Sequence, residues 1–252
     1  AGHVLHSKLG TWHLRLCRVT GVTMSVLWPI VTNAIRFPRR DAVVDDRRTY
    51  SYGQLVGGAM YLAERIEVGT AARHVGILLP TSGAFALTLL ATWLAGRVAI
   101  PLNYLLATDE LRYVIENSDI DTIVTVGPML DVISDHGCLA GQELIRIEES
   151  DFSGMPPLRW PPRYRDDDLA CILSTSGTSG RPKGVMLSHG NLRSNVVASI
   201  QHAQIRSIDR FLGVLPQFHS FGFTGLTLIP LFVGATVIYL ARFIPGRVVE
   251  LI

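Results

Sequence analysis

Ser174-Thr175-Ser176-Gly177-Thr178-Ser179-Gly180-Arg181-Pro182-Lys183-Gly184 concentrates hydroxyl side chains, glycines and a lysine in one short loop. Glycine tolerates positive φ and lets backbone N–H groups come close to a ligand. A run of such N–H groups forms an anion-binding concavity. The hydroxyls of Thr175, Ser176, Thr178 and Ser179 can donate to phosphate oxygens, Lys183 supplies a compact positive charge, and Pro182 stiffens the exit. The loop is not a Walker A motif, in which glycine directly precedes the lysine; here Pro182 does. Its flanks decide the fold. Leu169-Ala170-Cys171-Ile172-Leu173 is a short apolar run of the kind that makes a buried strand, and Gly184 to His189 leads on to a helix starting near Asn191. A loop set between strands suits a polyphosphate ligand; the competing reading is a flexible Ser/Gly linker.

Outward from the loop, strands and helices alternate. Val26 to Arg36 reads as an amphipathic helix stopped by Phe37-Pro38. Ala42-Val43-Val44 and Arg48-Thr49-Tyr50-Ser51 read as strands around a polar turn, and Ser51 with Gln54 forms a capping box for a helix reaching about Glu67. His74 to Leu79 is a buried strand, Phe85 to Ala95 an almost wholly apolar helix ended by Gly96, and Val98 to Leu102 the next strand. Thr108 is expected to cap a helix from Asp109 to Asn117. Thr122 to Val126, Leu144 to Ile147 and Phe211 to Leu215 are further strands. This alternation predicts an α/β fold with largely parallel sheets flanked by helices. The proline-rich stretch before Asp166-Asp167-Asp168 reads as a connection. The acidic triplet reads as a solvated turn, with a metal site as the sharper alternative. Phe221 to Ala241 has no charged residue and is long enough to span a bilayer, but its glycines and Pro230 favour a buried helix, a boundary at Pro230, and a strand from Ala235.

The loop resembles the phosphate-loop signature of the adenylate-forming enzymes: acyl-CoA synthetases, luciferases and peptide-synthetase adenylation domains. The family pattern is T-S-G-T-T-G-x-P-K-G; Ser179 replaces a threonine and keeps the hydroxyl, and Ser174 stands where an aromatic is common. Two further segments resemble the same family. Thr49-Tyr50-Ser51-Tyr52-Gly53-Gln54-Leu55 is similar to its early T-Y-x-E-L segment, with Gln54 in place of Glu, and Pro216-Gln217-Phe218-His219-Ser220-Phe221-Gly222 is similar to P-x-F-H-x-x-G. A histidine at the end of a strand is by itself more simply a turn residue; beside the phosphate loop it reads as functional.

The resemblance implies the N-terminal part of the acetyl-CoA-synthetase-like fold and a two-step reaction, in which a carboxylate joins the α-phosphate of ATP with Mg2+ and the acyl group then passes to a thiol. Carried over by position, Thr175, Ser176, Gly177, Thr178, Ser179, Gly180 and Lys183 would hold the β- and γ-phosphates. His219 would stand beside the carboxylate and α-phosphate. Phe221, Gly222 and Gly225 would border the acyl chain, the two glycines sharing one helical face. The segment from Leu215 to Thr224 looks most like fatty acyl-CoA and acyl-carrier-protein synthetases, so the expected partners are a fatty acid or other carboxylate and CoA or a carrier-protein phosphopantetheine. The alternative is a non-catalytic nucleotide- or acyl-binding module. The chain ends about halfway through a typical member, so the resemblance implies a piece without the small C-terminal domain, inactive by itself.

The remaining expectations follow from composition. At 252 residues, 48% hydrophobic and 17% charged, the chain can build a substantial core. A net charge of +2 gives no footprint for nucleic acid. Lys8 and Lys183 are the only lysines. Cys17, Cys138 and Cys171 have no metal-type spacing and suggest a reducing cytoplasm, with Cys171 as a core residue. Peripheral membrane association stays open on the apolar segment after His219. The expected organisation is an extension over 1–23, a first subdomain over 24–165, and the start of a second over 166–252.

Overall fold

The computed structural model describes residues 25–133, 136–175, 181–241 and 245–251. Helix α1 (Leu27–Arg36) is followed by β1 (Asp41–Val44), β2 (Thr49–Ser51) and α2 (Tyr52–Gly69). Ser51 caps α2 as its sequence predicts: its Oγ accepts from the Gln54 N–H at 3.2 Å, and Gln54 Oε1 accepts from the Ser51 N–H at 2.9 Å. Then come β3 (His74–Leu78), α3 (Gly83–Leu94), β4 (Val98–Pro101), α4 (Thr108–Asn117), β5 (Ile120–Thr125), the single turn α5 (Gly127–Leu130) and β6 (Glu143–Arg146). The chain continues through β7 (Leu169–Thr175), β8 (Lys183–Ser188), α6 (His189–His202), β9 (Arg210–Gly213), α7 (Ser220–Phe223), α8 (Ile229–Val233), β10 (Thr236–Tyr239) and α9 (Pro245–Leu251).

Two sheets carry the fold. The larger has the order β6-β5-β3-β4-β7-β8, parallel throughout except for β8, which runs antiparallel to β7. The smaller has the order β2-β1-β10-β9, with β1, β10 and β9 parallel and β2 antiparallel at the edge. This strand order does not respect the boundary read between residues 165 and 166. β7 and β8 complete the larger sheet, while β1 from the start of the chain, with β2 on its outer edge, pairs with β10 from its end. Apolar strands complete their hydrogen bonding wherever an edge is open, and hydrophobicity along the chain does not reveal which edge that is.

Helix α3 lies at the centre of the main core. Phe85, Ala86, Leu89, Leu90, Ala91 and Trp93 are all buried, as expected for a helix apolar all round. The Trp93 indole N–H donates to Ala170 O of β7 at 2.9 Å, tying the helix to the strand that enters the loop. Gly96 ends the helix with φ of +71°, the left-handed conformation glycine adopts without strain. Cys171 is a core residue, and burial pushes its thiol above the ordinary range.

Three sequence expectations shift locally. Helix α4 begins at Thr108 itself, with Ala107 in the capping position and its N–H donating to Glu110 Oε2 at 3.1 Å. Helix α6 begins at His189, earlier than Asn191, because Ser188 and Asn191 form a reciprocal capping box at 3.1 Å in each direction. Pro230 is not a helix boundary. Residues 220–233 form one helical run whose middle, Thr224–Leu228, is a π turn, and Gly234 at φ +87° ends it. Proline has no N–H to offer the carbonyl one turn back; Leu226 O accepts instead from the Tyr239 hydroxyl at 3.0 Å. The last carbonyls of α8 are satisfied from outside. Asn33 Nδ2 donates to Leu231 O and Phe232 O at 3.0 and 3.1 Å, and just beyond the helix the Tyr52 hydroxyl donates to Ala235 O at 2.7 Å. The charge-free stretch is thus a helix–turn–strand packed under α1 and α2. No helix among the described residues is long and apolar enough to cross a membrane.

Candidate functional site

The quoted loop connects β7 to β8 at the edge of the larger sheet. The two strands pair from Leu169↔Ser188 to Thr175↔Lys183, and the Thr175 hydroxyl donates to Lys183 O at 3.3 Å. That bond fixes the width of the hairpin where the loop leaves it. Ser176, Gly177, Thr178, Ser179 and Gly180, expected to hold phosphates, lie outside the described residues. Thr175 and Lys183 are both exposed, and Lys183 forms no ion pair among the described residues. Arg181, on the returning side, lies over the Tyr113 ring of α4 at 5.1 Å.

A cleft of about 300 Å³ opens beside this hairpin. Ser174, Thr175, Arg181 and Pro182 line it from the hairpin, and Phe218, His219 and Ser220 line it from the turn after β9. Asn103 and Leu106, before α4, and Glu110, in its first turn, also line it. The fold therefore brings Thr175 and His219 to one opening. Lys183, Phe221, Gly222 and Gly225 are not among its walls. A second cavity, about 470 Å³, lies at the ends of β5 and β6, between Pro128, Leu130, Leu139 and Leu144, with Asp131 and Arg146 at its edge. None of the residues singled out in the sequence borders it.

His219 sits in the turn between β9 and α7. Its N–H donates to Pro216 O at 3.1 Å, and its carbonyl accepts from the Phe223 N–H at 2.8 Å, which starts the helix. The side chain is exposed. Gly222 does not leave room for an acyl chain. It is buried, and a Cβ there would stand 2.0 Å from Pro216 O, so its lack of a side chain is what allows the turn to close. Gly225 lies within the π turn, where a Cβ would meet the Phe221 ring at 3.3 Å. The wider π turn breaks the three-residue spacing on which a shared face rested. Phe221 itself is 61% exposed.

Gln217 was missed in the sequence. It is 1% exposed, and both ends of its amide are bonded: Oε1 accepts from the Ser82 N–H at 2.8 Å, and Nε2 donates to Thr227 Oγ1 at 3.0 Å. The signal was available, since an amide between Pro216 and Phe218 in an apolar segment must find partners once buried. The acidic triplet is the turn it was read as. Asp166 takes a two-pronged contact from Arg193 at 2.6 and 2.8 Å, and Asp168 Oδ2 accepts from the Arg165 N–H at 2.7 Å.

His189, at the start of α6, is buried with its ring stacked on Tyr164 at 3.9 Å and edge-on to Trp93 at 5.5 Å. Neither ring nitrogen has a protein partner among the described residues. Burial pulls its pKa down to about 4, against a smaller opposing pull from the Asp168 carboxylate.

Comparison with known proteins agrees with this layout. The chain is 30% identical over 233 residues to a mitochondrial malonate–CoA ligase of Homo sapiens, covering 88% of this chain and 40% of that one. It is 31% identical to a feruloyl-CoA synthase of an Amycolatopsis species, covering 88% of this chain and 45% of the synthase. The chain thus spans less than half the length of these relatives. In three dimensions it superposes on an O-succinylbenzoate coenzyme A synthetase from Bacillus subtilis in complex with AMP. The TM-score is 0.78 at 24% identity, over 88% of this chain and 57% of the other, a likeness of fold. MatB from Rhodopseudomonas palustris gives a TM-score of 0.77 at 25% identity, over 90% and 48% of the two chains. Residues 30–252 match the family model described as AMP-binding enzyme, and the chain belongs to that adenylate-forming family.

Proposed function

We propose that this chain forms the phosphate-loop and carboxylate side of an ATP-dependent acid–thiol ligase. The observation that carries this reading is that Thr175 and His219 line one and the same cleft. ATP with Mg2+ supplies the activated phosphorus, and CoA or a carrier-protein phosphopantetheine accepts the acyl group. On this chain, Lys183 offers a charge to the β- and γ-phosphates, and His219 stands where carboxylate and α-phosphate meet. Stabilising and positioning the transferred group is chiefly electrostatic work, which suits an exposed ammonium beside a cleft that Ser174, Thr175 and Arg181 help to line. The exposed Thr175 and Lys183 at the hairpin mouth fit a polyphosphate better than an apolar ligand.

For the carboxylate, the reading is a fatty acid, supported by the exposed Phe221 ring beside the small Gly225. The names of the relatives supply the competing acids, malonate and ferulate. The test measures pyrophosphate release from ATP with each acid, on the longest polypeptide the reading frame encodes. Release dependent on a fatty acid is the expected result. Saturable ATP binding with no acid-dependent cleavage would identify a non-catalytic nucleotide-binding module instead.

Two substitutions refine the assignment. Lys183→Ala is expected to weaken nucleotide binding by about 1–3 kcal/mol, the scale of a charge-assisted hydrogen bond; calorimetric titration with ATP checks it, and an unchanged affinity contradicts the role. Gly225→Trp would force the Phe221 ring aside and fill the space beside it. It is expected to lower kcat/KM on long fatty acids by about tenfold while sparing acetate and butyrate. A uniform loss across chain lengths with a lower Tm would remove Gly225 from the acyl path.

A further inference from the structure

We infer that Gln217 is a positioning residue that sets where His219 stands in the cleft; this rests on the ligase reading of that cleft. The buried amide joins three separate parts of the fold. Through Oε1 it holds the Ser82 N–H at 2.8 Å, at the entrance to α3, where the neighbouring Gly83 N–H is taken by Asp45 Oδ2 at 2.8 Å. Through Nε2 it holds Thr227 Oγ1 at 3.0 Å inside the π turn. Its own N–H lies 3.4 Å from Thr81 Oγ1.

Thr227 carries the connection onward. Its hydroxyl donates to Gly222 O at 2.9 Å, and the Tyr239 hydroxyl of β10 lies 2.9 Å from Thr227 Oγ1. His219 therefore sits between two fixed points of one network, with Gln217 two residues before it and the Gly222 carbonyl three residues after. The short turn between them has little freedom of its own. Phe218, the residue between, packs edge-on against Tyr104 at 5.1 Å and is buried.

The network demands an amide. One end must accept from Ser82 and the other must donate to Thr227, because the hydroxyl proton of Thr227 is directed to Gly222 O. Leucine fills the same space and does neither. An ionised glutamate accepts at both ends and turns the Thr227 proton away from Gly222. A protonated glutamate restores one acceptor and one donor. The titratable groups in this network are Asp45 and Tyr239, and burial raises the Tyr239 pKa above its ordinary range, so its hydroxyl stays neutral.

The test compares wild type, Gln217→Leu and Gln217→Glu in the complete polypeptide. Kinetics are read for acid and ATP separately, Tm is measured alongside, and the rate of diethylpyrocarbonate modification of His219 is followed by peptide mass spectrometry. The expected result for Gln217→Leu is a loss of about tenfold or more in kcat/KM for the acid, the scale of a misplaced reacting group, with KM for ATP within about twofold of wild type. The modification rate of His219 changes with it. For Gln217→Glu, activity relative to wild type rises as the pH falls from 8 to 6. Loss of activity that follows Tm, with both KM values rising together and no recovery of the glutamate variant, would reduce Gln217 to a core hydrogen bond. An unchanged His219 modification rate in Gln217→Leu overturns the inference even if the wild type activates no acid. In that case the absence of turnover speaks against the ligase reading alone.

Discussion

Gly222→Ala is expected to destabilise the protein by about 3 kcal/mol or more, the upper range for overpacking a site that cannot yield. The added Cβ would stand 2.0 Å from Pro216 O, 2.7 Å from Pro216 C and 2.9 Å from Leu215 O. All three are backbone atoms, so no side-chain rotation relieves the contact. Gly225→Ala is the matched control. The atoms nearest its Cβ belong to the Phe221 ring, at 3.3 Å, and that ring is largely exposed. A change below about 1 kcal/mol is expected there. Urea unfolding of the two variants checks the contrast, and equal small losses would show that the turn from Pro216 to Gly222 gives way. Because His219 lies inside that turn, Gly222→Ala should also remove any activity that depends on it, at temperatures where the variant is still folded.

Acidification is expected to weaken the fold through His189. Its pKa is about 4 in the folded protein and 6.5 in an unfolded chain, so the unfolded state binds the proton first as pH falls. Stability from this group is therefore complete above pH 6.5, declines as pH falls from 6.5 to about 4, and levels off below that. A gap of about 2.5 units corresponds to roughly 3 kcal/mol at the lower limit. The ring is 1% exposed, so solvent does little to screen the effect. Unfolding free energies at pH 7.5 and 4.5 measure it in wild type and in His189→Phe, whose ring suits the stack on Tyr164 and edge of Trp93 but carries no proton. The phenylalanine variant should lose less stability between the two pH values. If both lose the same amount, other groups control the acid response. The site of the effect is informative, because His189 opens the helix directly after β8, the strand that leaves the Ser/Gly loop.

Much of the fold was legible in the chain alone. The Ser51–Gln54 cap, the all-apolar α3 and the glycine that ends it follow from local chemistry, and the structure has them where the sequence places them. The apolar run into the loop became β7 for the same reason. The loop motif and the histidine segment were recognisable as residue patterns, and the fold puts Thr175 and His219 on one cleft.

What only the tertiary structure decided concerns partners distant in sequence. Hydrophobic periodicity identifies a strand but not the strand beside it, so the pairing of β1 with β10 across almost the whole chain could not be read from either segment. The same limit hid the role of Gln217, whose three contacts lie in different elements. It also reversed the reading of Gly222. In sequence, the resemblance places Gly222 beside an acyl chain. In the fold that space is occupied by the Pro216 carbonyl, because glycine permits close approach equally to a substrate or to the protein's own backbone, and only the coordinates of the neighbouring turn distinguish the two.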